Sequence, residues 1–207
     1  MVPKVTQEYK REVRERILSA AEKLFSSKGY YDTSMDEIVA ESRLSKGAIY
    51  SYFKSKEDLF VALHEKELEE SITVLTSTFA PGDSARTKLE KIIGTAFGSM
   101  VNASKNSCRI SLEFNVAAPR IRSVQRRREE HFMALHRFLA EIIKEGVEKK
   151  EFRSDVDPNQ TALILLAMAD GLSLDWATTN LKFDWKTLTE QVEKMVMKGL
   201  PHGVSSH

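Results

Sequence analysis

Residues 33–60, TSMDEIVAESRLSKGAIYSYFKSKEDLF, decide the reading of this chain. Ser34 is followed three positions later by Glu37, and Ser55 by Asp58. Each pair has the form of a capping box. A side-chain oxygen takes up a free N–H of a starting helix, and a carboxylate sits in the first turn, where the helix dipole favours it. Between the two caps, residues 45–53 form a short helical segment, entered through a tight connection at Arg43-Leu44. The order is helix, turn, helix, then a capped longer helix, which is the sequence form of a helix-turn-helix.

The short second helix carries the side chains of a surface-reading element. Ser45, Lys46, Gly47 and Ala48 fill its first turn. Small residues let a backbone approach another surface, and glycine leaves room where a larger group would collide. Lys46 and the free N–H groups at the helix start favour phosphate oxygens. Ile49 and Phe53, four apart, face inward with Leu44, while Tyr50, Ser51 and Tyr52 complete the segment. The tyrosines alternate with apolar residues, so one of them is a candidate for packing as well as contact. Lys54 and Lys56 crowd the start of the next helix and offer a second phosphate position.

The string SRLSKGAIYSYFKSKEDLF resembles the recognition-helix signature of the TetR family of transcriptional regulators, and the resemblance covers the first sixty residues closely. The Gly-Val that usually precedes this helix in the family is replaced by Arg43-Leu44, a turn without glycine. The resemblance implies DNA contacts from Thr33, Ser34 and Met35 at the start of the first motif helix. It implies further contacts from Ser45, Lys46, Gly47, Ala48, Tyr50, Ser51 and Tyr52 on the second. Lys56 corresponds to a lysine that grips a phosphate.

Outward from the motif, every segment reads as helix. Residues 1–7 form a loose arm, and 8–28 a helix whose stripe is Val13, Ile17, Ala20, Leu24 and Phe25, ending at Gly29. A long helix after Ser55 reaches Phe79, where Pro81-Gly82 breaks it; Phe60, Leu63, Leu68, Ile72, Leu75 and Phe79 line one side. Further helices are expected over 84–102, 108–118, 122–149, 158–178 and 188–199, with a disordered tail at 201–207. Asp157-Pro158-Asn159-Gln160 is a start signal with a cap, a proline at the first helical position and a glutamine three residues after the cap. No stretch alternates as a sheet strand does. The expected fold class is therefore all-α: a three-helix head over 1–54, joined by a long helix to a helical effector-binding and dimerisation domain over 55–207.

Composition narrows the function classes. The chain has 207 residues and a formal net charge of +1. Residues 1–54 hold ten Lys/Arg and eight Asp/Glu, so one head is only slightly basic and two heads on one site bind far better than one. The longest apolar run, 162–169, is too short to span a bilayer, and residues 1–16 lack the apolar core of a signal peptide. With a single cysteine, Cys108, the expected location is cytoplasmic. The histidines at 64, 131, 136, 202 and 207 make no HExxH pair, and no glycine-rich phosphate loop is present, so an enzyme, a metal site and a cofactor are not expected.

The helix over 158–178 is apolar nearly all round and needs cover on both sides. Two late helices from each of two subunits, packed as a four-helix bundle, supply it, and the TetR resemblance implies the same homodimer. That resemblance also implies operator DNA as partner and a small-molecule pocket after residue 80. Phe97, Met100, Phe114, His136 and Trp176 are its candidate lining residues, although such residues at helical spacing also serve as plain core. Arg120, Arg122, Arg126, Arg127 and Arg128 read either as a solvated face paired with Glu129 and Glu130 or as a site for an anionic effector such as a phosphate-bearing thioester. The expected function is a ligand-responsive repressor released by a small apolar or acyl-thioester effector. The alternative is an architectural or adaptor DNA-binding protein without an effector.

Overall fold

The computed structural model describes residues 6–102 and 105–200; the side chains of 67, 68, 71, 99–102 and 105–107 lie outside that description. Among the described residues there are nine helices and no strand. They are α1 (Gln7–Lys28), α2 (Met35–Ser42), α3 (Lys46–Tyr52), α4 (Lys56–Ser77), α5 (Ala85–Asn102), α6 (Lys105–Ala117), α7 (Arg122–Glu148), α8 (Pro158–Thr178) and α9 (Trp185–Gly199). The all-α expectation is thus met. The chain forms two compact units, one of Met1–Leu68 with Arg109–Arg128 and the other of Glu69–Cys108 with Glu129–His207. These are drawn differently from a division at residue 54, because the segment 109–128 belongs to the first unit.

In the first unit, α1 starts where Thr6 Oγ1 accepts the Tyr9 N–H at 3.2 Å, and it ends at Gly29, whose φ of 88° suits glycine alone. Val13, Ile17, Leu18, Ala21 and Phe25 of α1 are buried together with Ile38, Ile49, Phe53, Leu59, Phe60 and Leu63. Ile110, Phe114, Ala117 and Val124 complete this core. Phe60 anchors it, stacked on Tyr30 with centroids 4.4 Å apart and edge-on to Phe25 at 5.3 Å. The connection between α2 and α3 turns through Arg43, a non-glycine residue at φ 55°, ψ 33°.

The second unit has its own core of Leu89, Ile92, Ile93 and Phe97 of α5, Leu139, Ile142 and Ile143 of α7, Ala162 and Leu165 of α8, and Val192 and Met197 of α9. The α8 cap matches its sequence signal, with Asp157 Oδ1 accepting the N–H groups of Asn159 at 2.8 Å and Gln160 at 3.1 Å. Leu163, Ile164 and Leu174 on α8 and Met195 on α9 are exposed. By length and composition the whole of α8 is apolar enough to cross a membrane, which the shorter run at 162–169 does not convey.

Candidate nucleic-acid interface

The two short helices are placed by their caps. Ser34 Oγ accepts the Glu37 N–H at 3.3 Å while Glu37 Oε2 accepts the Ser34 N–H at 2.8 Å, a complete capping box. The Glu37 carboxyl also takes a hydrogen bond from Lys28, and these bonds, led by Lys28, hold its pKa down to about 2. Ser45 Oγ accepts the Ala48 N–H at 3.2 Å and starts α3. The third cap departs from the expected box. Ser55 Oγ accepts the Asp58 N–H at 3.0 Å, but the Asp58 carboxylate reaches back to the Lys54 N–H, also at 3.0 Å.

This scaffolding leaves one edge of α3 open. Ser45, Lys46, Gly47, Tyr50 and Ser51 are exposed, Ala48 is half-buried, and Ser34 is exposed at the start of α2. Beyond its chain neighbours and the backbone of its own helix, no protein atom lies within 4 Å of the point where a Cβ on Gly47 would stand. Lys46 Nζ donates to Asp36 Oδ1 at 2.7 Å, and that bond and charge raise the lysine pKa. An exposed pair of this kind is weak, so Lys46 can exchange Asp36 for a phosphate at small cost. Ser51 Oγ turns inward and donates to Ala48 O at 2.6 Å.

Four expected contact residues sit differently. Thr33 is buried, and its Oγ1 donates to Gly29 O at 2.8 Å. Met35 and Tyr52 are half-buried against the first core, so Tyr52 is the packing tyrosine and Tyr50 the exposed one. Lys56 Nζ donates to Tyr30 O at 2.7 Å and Thr33 O at 2.8 Å and lies 4.4 Å from the Tyr30 ring centre. Burial lowers its pKa, with Asp32 and Glu37 opposing. An ammonium held by backbone carbonyls staples the turn between α1 and α2.

The buried effector candidates fall in two separate cores. Phe114 is in the first core, stacked on His64 with ring centroids 3.7 Å apart, whereas Phe97 is in the second. His136 Nε2 is 3.0 Å from Asn159 O, with its ring 6.1 Å from Phe132. Trp176 meets Trp185 edge-on at 5.5 Å, and Met100 lies outside the described side chains. Of the arginines, Arg127 pairs with Glu65 at 2.7 Å, Arg128 bonds Asn115, and Arg120 lies 5.8 Å from the Tyr31 ring centre.

Two residues that shape the interface escaped the sequence reading. Asp36 is ten positions from Lys46, and only the fold of the turn brings them together. Glu113 is 83 positions from Tyr30, whose N–H it accepts at 3.0 Å. No local pattern marks such a pair.

Similarity to known proteins agrees with this geometry. A model of the bacterial regulatory proteins of the tetR family matches residues 17–63. A second, described as BetI-type transcriptional repressor, C-terminal, matches residues 85–201, more than half of the chain. The fatty acid metabolism regulator protein of Bacillus subtilis is 22% identical over 185 residues, covering 89% of this chain and 94% of its own. In fold, the fatty acid degradation regulator FadR from Bacillus halodurans aligns with a TM-score of 0.78 at 19% identity, over 94% of this chain and 96% of its own. A transcriptional regulator from Saccharomonospora viridis, solved in complex with choline, aligns with a TM-score of 0.78 at 17% identity, over 93% of this chain and 100% of its own. A helix-turn-helix head and a matching C-terminal domain make this chain a DNA-binding regulator of transcription and not an enzyme: it belongs to the TetR family.

Proposed function

We propose that this chain is a repressor that binds double-stranded operator DNA as a homodimer and leaves it when a small apolar or acyl-thioester effector binds. The observation that carries the DNA part is the open edge of α3, where a glycine stands at a position with empty space around it. Inside a helix, glycine costs about 0.5–1 kcal/mol against alanine, and the fold of the head gives no reason for it. Close approach of a duplex does. In this reading Ser34, Ser45, Lys46, Gly47, Ala48, Tyr50 and Ser51 meet the DNA. Thr33, Met35, Tyr52 and Lys56 support them from behind.

The exposed apolar residues of α8 and α9 support the dimer, with a second copy covering Leu163, Ile164 and Met195. Two recognition helices about 34 Å apart then enter successive major-groove faces. The acyl-thioester effector is supported by the names of two relatives, which regulate fatty acid metabolism and fatty acid degradation. Such a ligand acts only through its different affinities for the DNA-bound and free states.

Fluorescence anisotropy on a labelled fragment of the chain's own promoter tests this. A long-chain acyl thioester is expected to weaken binding by about tenfold or more, within the usual range of allosteric coupling. Choline and free fatty acids run beside it as competitors for the same assignment. If no compound alters affinity or melting temperature, the effector reading fails and the architectural role takes its place. Transcription in vitro from the same fragment decides the sign of regulation.

A further inference from the structure

Glu113 lies outside the helix-turn-helix motif and yet grips its turn. Its Oε2 accepts the Tyr30 N–H at 3.0 Å, and its Oε1 is 3.2 Å from the point where a Cβ on Gly29 would stand. Lys56 holds the same turn by its carbonyls, donating to Tyr30 O at 2.7 Å and Thr33 O at 2.8 Å. Thr33 Oγ1 closes the turn on Gly29 O at 2.8 Å. Residues 29–33 are thus held by a carboxylate on an N–H and by an ammonium on three C=O groups, the third being Tyr31 O at 3.4 Å. The turn feeds directly into the Ser34 cap of α2, and α2 carries Asp36, the partner of Lys46.

We infer that Glu113 is a positioning residue for operator binding: it fixes the 29–33 turn, and with it α2 and the recognition helix α3, without touching DNA. This rests on the DNA-reading surface proposed above. Charge alone predicts the opposite sign. A carboxylate in a unit that binds a polyanion repels it, so removing one strengthens binding and alters the salt dependence. Loss of the clamp weakens binding and leaves the number of phosphate contacts, hence the salt slope, unchanged.

The experiment measures operator affinity against salt concentration for the full chain, Glu113→Ala and Glu113→Gln, normalised to the active fraction by stoichiometric titration. Amide hydrogen exchange at Tyr30 is followed in the same samples. Glu113→Ala is expected to bind about tenfold more weakly with the wild-type salt slope, the scale of losing one hydrogen bond to a charged group. Glu113→Gln keeps an oxygen acceptor and is expected within about threefold of wild type. The Tyr30 amide is expected to be protected in wild type and fast in Glu113→Ala. Tighter or unchanged binding by Glu113→Ala overturns the inference. So does exchange at the rate of a free loop amide in the wild-type chain, a readout that stands even where Glu113→Ala does not fold. Wild-type protein with no operator preference would reject the DNA surface itself, and the role of Glu113 with it. Wild-type binding with an indifferent Glu113→Ala rejects the role of Glu113 alone.

Discussion

At the scale of single residues, Gly47 separates what the fold needs from what the function needs. Nothing in the protein occupies the space a methyl group would take there. Gly47→Ala is therefore expected to stabilise the chain by about 0.5–1 kcal/mol in chemical denaturation, because alanine is the better helix former. The same variant is expected to lose operator affinity in an anisotropy titration, because the added methyl meets the duplex. Stability and affinity moving in the same direction would remove glycine from the contact surface. His64 gives a second residue-scale prediction. It is buried against Phe114, and burial, aided by the charge of Arg128 and opposed by Glu65, pushes its pKa from 6.5 to about 4. Between those two values the unfolded chain binds the proton and the folded chain does not. The stability that neutral His64 contributes is therefore complete above pH 6.5 and lost as pH falls to about 4. The loss attributable to His64 is on the order of 3 kcal/mol. Urea denaturation across that range should show the slope, and His64→Leu should flatten it.

At the scale of elements, the turn between α2 and α3 carries measurable strain. Arg43 sits in the left-handed region at φ 55°, ψ 33°, where a side chain costs about 1–2 kcal/mol and glycine costs nothing. Arg43→Gly should stabilise the head by about 1 kcal/mol, read as a shifted denaturation midpoint at unchanged slope. A destabilised variant would mean that the arginine side chain makes a contact worth more than the strain. This turn also shows where sequence reading stops. The caps at Ser34 and Asp157 and the stripe of α1 are legible, because each depends on residues within one helical turn, whereas Ser45, read as the first residue of the short helix, is its cap. The apolar spacing predicts a start for α9 at Leu188, three residues late. The helix opens at Trp185, where Asp184 Oδ1 accepts the Thr187 N–H at 3.2 Å and Oδ2 the Thr187 hydroxyl at 2.7 Å. The helix expected over 108–118 starts earlier, at Lys105, behind a polar first turn. At the interface, residue types were legible and orientations were not. Thr33 and Lys56 spend their polar atoms on backbone groups of a turn that exists only once the head has folded.

At the scale of the whole molecule, the proposed pairing rests on the exposed apolar residues of α8 and α9. Leu163 is 42% exposed, Ile164 59% and Met195 65%, which is costly in one chain and ordinary in a paired one. Ile164→Asp places a charge where a second copy is expected to pack. It should run as a single subunit in sedimentation, with operator affinity reduced by about a hundredfold through loss of the second head. A variant that stays paired would move the contact elsewhere on the molecule. The central claim is that the open edge of α3 reads a duplex twice, in a paired molecule. Its most direct test is sedimentation of the full chain with a labelled promoter duplex and with a scrambled duplex of equal length, over a series of salt concentrations. The expected result is two chains per duplex, with affinity that falls steeply with salt and exceeds that for the scrambled sequence by about a thousandfold. One chain per duplex, bound equally to both sequences, would contradict it.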